Sequence, residues 1–177
     1  MRILIEGRPG SGKTTVATRL MALLREHDVS VVGFVTTELR EHGRRVGFMV
    51  DTTAGESATL AHVELPGPPR VGRYGVDLHA FERVALPSLG PTAVVTVIDE
   101  LGKMELASAA FTERVHRVFD SPRTVVATVH RHAHPVTDAL KARRDVRVVH
   151  LDRDTRNELP RRILRELVDN RSDRPAR

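Results

Sequence analysis

Two short stretches of this 177-residue chain carry residue types that could do chemistry together. The first, GRPGSGKT at 7–14, fits the spacing G-x-x-x-x-G-K-[ST]. Gly7, Gly10 and Gly12 let a backbone close around an anion that side chains would hold off. Backbone N–H groups then point at phosphate oxygens, and the positive end of a following helix adds to the attraction. Lys13 brings a point charge to the β- and γ-phosphates, and the Thr14 hydroxyl can ligate Mg²⁺. The second stretch, VIDELGKMEL at 97–106, ends an apolar run in two adjacent carboxylates, Asp99 and Glu100. Buried charge needs a partner. If both stretches share one rim of a sheet, Asp99 faces the metal held by Thr14. Glu100 then orients a water in line with the γ-phosphate, or else caps a turn or pairs with an arginine. Lys103 is open between pairing with Glu105, contacting phosphate and reaching solvent, and Glu105 between a site role and a solvated acid.

The flanking patterns supply the elements that must position these groups. Residues 2–6 read as a short apolar strand and 14–26 as a helix, with Val16, Leu20, Leu23 and Leu24 at helical spacing. Residues 29–40 predict a second strand, which turns at 41–43 and returns over 44–52 as a hairpin, and 56–65 adds a short strand. The Pro- and Gly-rich segment 66–77 reads as loop. A helix over 78–86 ends before Pro87, and a buried strand covers 93–98 with the acids just past its end. Then follow a helix at 108–119, a strand at 124–130, a short helix at 135–144, a strand at 146–151 and an amphipathic helix at 158–170. Strands alternating with helices predict an α/β fold of three layers, with a mostly parallel central sheet and an added antiparallel β-hairpin. One domain covers 1–170, and 171–177 is expected to be a disordered tail. In such a sheet ligands bind beyond the carboxyl ends of the strands, the rim on which strands 2–6 and 93–98 both end.

Composition excludes several classes. No apolar run reaches the length of a membrane span, and MRILIEG lacks a signal-peptide layout. The absence of cysteine removes disulfides and thiolate metal sites and fits a cytoplasmic setting. The net charge is +5, with arginine far outnumbering lysine, of which there are only Lys13, Lys103 and Lys141. The arginines alternate with acids, and five Phe, one Tyr and no Trp leave little for stacking bases, so a nucleic-acid partner is unsupported. The expected partners are nucleoside triphosphates and no membrane, for a monomer or weak oligomer.

The stretches GRPGSGKTT, GFVTTELREHGRRVGFMV, RVGRYGVD and VIDELGKMELAS resemble the small P-loop nucleoside-triphosphatases first described in thermophiles, a family with a human cancer-related member. The resemblance runs from residue 1 to about 160. It implies a RecA-like core with an added β-hairpin, and Mg²⁺-dependent hydrolysis of several nucleoside triphosphates to diphosphate and phosphate. It further implies nucleotide binding by Gly7, Arg8, Pro9, Gly10, Ser11, Gly12, Lys13, Thr14 and Thr15. From the other side Asp99, Glu100, Leu101, Gly102, Lys103, Met104, Glu105 and Leu106 would line the site, with Glu100 as base, Lys13 catalytic, and Thr14 and Asp99 at the metal. Where the family carries an Asn-Arg-Asp run, this chain has Thr155, Arg156 and Asn157, so only the sensor-like Arg156 survives.

Other residues stay open on sequence grounds. His130 ends a strand on the same rim, as a sensor of the γ-phosphate or a plain rim residue. His130, His132 and His134 alternate, as a metal site or as loop histidines. Arg8 reaches phosphate or solvent; Arg40, Arg44 and Arg45 cover the nucleotide, meet a partner or simply charge a hairpin tip. Tyr74 stacks on a base or packs on the sheet. Three functions use this cradle: a triphosphatase, a kinase acting on a nucleoside, nucleotide or other small acceptor, and a nucleotide-dependent RNA-associated switch. Glu100 favours the first, and no Asn-Lys-x-Asp motif is present to read guanine.

Overall fold

The apolar runs RILIEG, VTVIDEL and TVVATVH form the buried centre of one sheet in the computed structural model, which describes residues 1–172. In chain order the elements are β1 (Arg2–Gly7), α1 (Lys13–Glu26), β2 (Val31–Glu41), β3 (Arg44–Thr52), β4 (Ser57–His62), β5 (Arg70–Val71), β6 (Tyr74–Val76) and α2 (Leu78–Ser88). They continue with β7 (Val95–Leu101), a 3-10 turn (Glu105–Ala107), α3 (Ala109–Asp120), β8 (Thr124–His130), α4 (Pro135–Lys141), β9 (Arg147–His150) and α5 (Leu159–Ser172). The sheet order is β5-β6-β4-β3-β2-β7-β8-β1-β9. From β2 to β9 every pairing is parallel; from β2 to β5 every pairing is antiparallel.

Side chains alternate across a strand, which sorts the core into two layers. Leu4, Ile98 and Ala127 face one side, against Phe81 of α2 and Phe111 of α3. Phe34 of β2 joins them, its ring 5.8 Å from both. Ile3, Ile5, Val97 and Val126 face the other side, against Val16, Leu20 and Leu24 of α1 and Ile163 and Leu167 of α5. The result is the expected three layers, with α1 pressed to the sheet just below the end of β1.

Several boundaries differ from expectation. The predicted loop at 66–77 contains β5 and β6, because Tyr74 and Val76 are buried and Gly75 fits where a Cβ would come within 2.2 Å of the Leu65 carbonyl oxygen. The predicted hairpin is therefore β2–β3 lengthened by β4, β6 and β5. Helix α2 runs past Pro87 to Ser88, since the ring stands in the last turn, where the Ser88 hydroxyl donates to the Ala85 carbonyl at 2.8 Å. α4 stops at Lys141. Strand β7 starts at Val95 and runs to Leu101, so the paired acids lie within it rather than after it. Its pairing with β8 breaks after Ile98 and resumes at Leu101, leaving Asp99 and Glu100 at an irregularity. Of the expected tail, 173–177 lie outside the described residues.

Candidate active site

The phosphate loop is held between the end of β1 and the start of α1. Gly12 takes a left-handed conformation, φ 96°, which a side chain would strain, and this swings the chain into α1. No side chain caps that helix start, so its first N–H groups are left to a ligand. Lys13 is 6% exposed and folds back over the loop, its Nζ 3.4 Å from the carbonyl oxygens of Gly7 and Arg8. The Ser11 hydroxyl is buried without a hydrogen-bond partner. Arg156, in the β9–α5 connection, stands beside the loop, its Cδ 3.5 Å from where a Gly12 Cβ would be. Arg8 contributes its carbonyl while its side chain is exposed, and Thr15 faces outward.

The acids of β7 face this loop from across the rim. Asp99 is 1% exposed, and the Thr128 hydroxyl donates to its Oδ1 at 2.6 Å. Burial pushes the Asp99 carboxyl up to about 6, assisted by the Glu100 charge and opposed by the Thr128 and Thr14 hydroxyls and Lys13. Its Oδ2 is buried with no partner. An orphaned carboxylate oxygen is costly unless something completes it. Together with the nearby Thr14 hydroxyl it suits a hard divalent cation that keeps water and phosphate oxygens as its remaining ligands. Among the described residues no three His, Cys, Asp or Glu side chains form a metal-holding group, so the alternating histidines 130, 132 and 134 do not make one.

Glu100 sits between His130 and Lys13. One carboxylate oxygen pairs with the His130 Nε2, and the other lies 3.4 Å from Lys13 Nζ. Burial pulls its carboxyl upward, but the His130 hydrogen bond and the Lys13 charge outweigh this and hold it below its ordinary value. Glu105 behaves oppositely. It is 3% exposed, the Thr36 hydroxyl donates to it at 3.1 Å, and burial with the Glu100 and Asp99 charges pushes it up to about 8. It therefore keeps its proton near neutrality, while Lys103 reaches solvent. Ser108 caps α3 through the Phe111 N–H at 2.9 Å and fixes where the acid stretch ends.

Gly102 separates the two glutamates. A Cβ there would lie 2.7 Å from Glu105 Oε2 and 3.0 Å from Glu100 Oε1. Gly102→Ala should push Glu100 aside and lower single-turnover phosphate release by about tenfold or more, since an ångström of misplacement at a reacting group costs up to ~10²-fold. Nucleotide affinity, measured by titration, should hold.

Lys13, Thr14, Asp99, Glu100, Glu105 and His130 open onto one cavity of about 440 Å³. Its lining also includes Thr36, Glu38, Arg45 and Phe48 of β2 and β3, with Met104 and Leu106. Arg45 pairs with Glu38 at 2.7 Å and donates to the Tyr74 hydroxyl at 3.1 Å. Tyr74 is buried edge-on against Phe48, ring centroids 5.2 Å apart, so it packs on the sheet. Arg40 pairs with Glu38, and Arg44 is exposed at the hairpin tip. The structure thus gathers residues 7–14, 99–106 and His130 at one rim and adds Thr36 and Thr128, which sequence reasoning missed. A hydroxyl inside the apolar run TVVATVH was the available signal for Thr128.

A protein-family model described as NTPase matches residues 2–164. The nucleoside-triphosphatase THEP1 of Thermotoga sp. (strain RQ2) is 42% identical, with 98% of this chain and 99% of that protein aligned. The cancer-related nucleoside-triphosphatase of Homo sapiens is 38% identical over 89% of this chain and 91% of its own. The crystal structure of THEP1 from the hyperthermophile Aquifex aeolicus superimposes with a TM-score of 0.80 at 30% identity, covering 92% of this chain and 96% of that one. The solution structure of a human cancer-related nucleoside triphosphatase gives a TM-score of 0.80 at 36% identity, covering 98% and 99%.

Proposed function

The chain belongs to the NTPase family and is a nucleoside-triphosphatase, and on that premise we propose that it splits the terminal anhydride bond with Mg²⁺ and little choice among bases. The observation that carries the reading is Glu100, a carboxylate held between Lys13 and His130 one residue from the buried Asp99. The loop amides and the start of α1 bind the phosphates. The triphosphate draws Lys13 from Glu100, because several phosphate charges outcompete one carboxylate. One Glu100 oxygen stays on His130 while the released one faces the attacking water and takes its proton. The water oxygen bonds to the γ-phosphorus, the bridging P–O bond breaks, and the diphosphate leaves with that electron pair. Thr14 and Asp99 would hold Mg²⁺, which when bound neutralises charge on the β- and γ-phosphate oxygens. Glu105 keeps its proton and adds no further negative charge to those of Asp99 and Glu100.

Water rather than another acceptor is the nucleophile, a reading supported by the nucleoside-triphosphatase relatives. Broad base use fits the lack of a guanine-reading motif. The test is steady-state phosphate release from ATP, GTP, CTP and UTP, with Mg²⁺, with excess chelator, and with added nucleosides. All four should turn over at rates within about tenfold, as expected where contact with the base is loose, and chelator should stop release. Phosphate appearing on the nucleoside instead of in solution would replace hydrolysis by transfer.

A further inference from the structure

Two of the three lysines belong to the phosphate loop and the acid stretch; the third, Lys141, ends α4 outside both. Its Nζ lies 2.6 Å from Glu6 Oε1 and 3.3 Å from the backbone oxygen of His130. Asp138 Oδ1 is further off at 3.9 Å. The second Glu6 oxygen pairs with His150 Nδ1 at 2.8 Å. Glu6 and Lys141 are mostly covered, at 12% and 19% side-chain exposure. Burial raises the Glu6 carboxyl, but Lys141 and His150 outweigh it and hold it below its ordinary value, so Glu6 is ionised near neutrality.

Both partners of Lys141 adjoin the reacting groups. Glu6 is the residue before Gly7, the first of the phosphate loop. His130 carries the imidazole that holds Glu100. The parallel register places Gly7 opposite His130, so one ammonium spans the ends of two neighbouring strands. A compact ammonium meets a carboxylate and a carbonyl lying close together; a planar arginine fork is built for a flat bidentate partner. That accounts for a lysine in a chain where arginine far outnumbers lysine.

We infer that Lys141 is a positioning residue for hydrolysis: it fixes the His130 backbone to the end of β1 and so sets the direction from which the imidazole holds Glu100. The inference rests on the proposed role of Glu100. Lys141→Met should lower kcat about tenfold, short of the ~10²-fold of a full ångström misplacement, and leave the KM for Mg·ATP within about twofold. The His130 ring resonances should shift in the variant's NMR spectrum. In a His130→Ala background the same substitution should have no further effect on kcat, because the group it positions is gone. An equal fall in both backgrounds, or an unchanged kcat in the first, overturns the inference. If Lys141→Met does not fold, Lys141→Arg goes through the same cycle under the same criteria. Glu100→Gln run alongside keeps the two readings apart. If that variant is inactive while the Lys141 cycle is additive, only the positioning role fails; if it is fully active, the role of Glu100 fails first.

Discussion

Glu100→Gln should still bind Mg·ATP while phosphate release falls by about 10²–10⁴-fold, the usual worth of a general base. Glutamine keeps the size of the side chain and leaves His130 a neighbour to bond, so the geometry survives and the charge goes. In the proposed mechanism the carboxylate acts on the water only in the transition state, whereas the ground-state triphosphate is held by Lys13, the loop amides and the metal. Binding should tighten slightly, since Lys13 no longer has to leave a carboxylate that lies 3.4 Å away in the free protein. The measurement pairs nucleotide affinity by titration with single-turnover release. If affinity collapses with rate, Glu100 is a structural group; if neither changes, His130 is the next residue to replace.

Lys13→Ala should be as damaging by another route. The γ-phosphate loses its point charge, and removal of one such contact costs about 10²–10³-fold in the transition state. Here the ground state should suffer too, because in the proposed complex the lysine reaches the phosphates whether or not they are reacting, so affinity and rate should fall together. That combined loss separates Lys13→Ala from Glu100→Gln. Near-normal turnover would show that residues 7–14 do not hold the phosphates.

Much of the site was legible because its chemistry is local. GRPGSGKT announces itself within eight residues, and a strand before and a helix after confirm it. The acids were legible because two carboxylates ending a buried run demand partners. What escaped was nonlocal or composed of unremarkable residues. Thr128 and Thr36 are ordinary strand threonines until folding places them on Asp99 and Glu105. The Glu6–Lys141 pair joins residues far apart in sequence, and no local pattern encodes it. Strands β5 and β6 hid in a segment rich in Pro and Gly, where composition argued for loop although burial of Tyr74 and Val76 made short strands. His130 is a rim residue bonded to Glu100, a contact between residues far apart in sequence that no local pattern encodes.

The position of β1 bears on how the protein is made. Its two neighbours in the sheet are Thr124–His130 and Arg147–His150. During synthesis the ribosome releases GRPGSGKT long before either neighbour has emerged, and pairing must wait for the closure of very large loops. The candidate phosphate-holding segment is thus synthesised well before the strands that secure it. A fragment that stops short of Thr124 carries the entire phosphate motif but lacks both strands that pair with β1, so proteolytic or translational remnants of this chain should be recognisable by sequence yet hold nucleotide poorly.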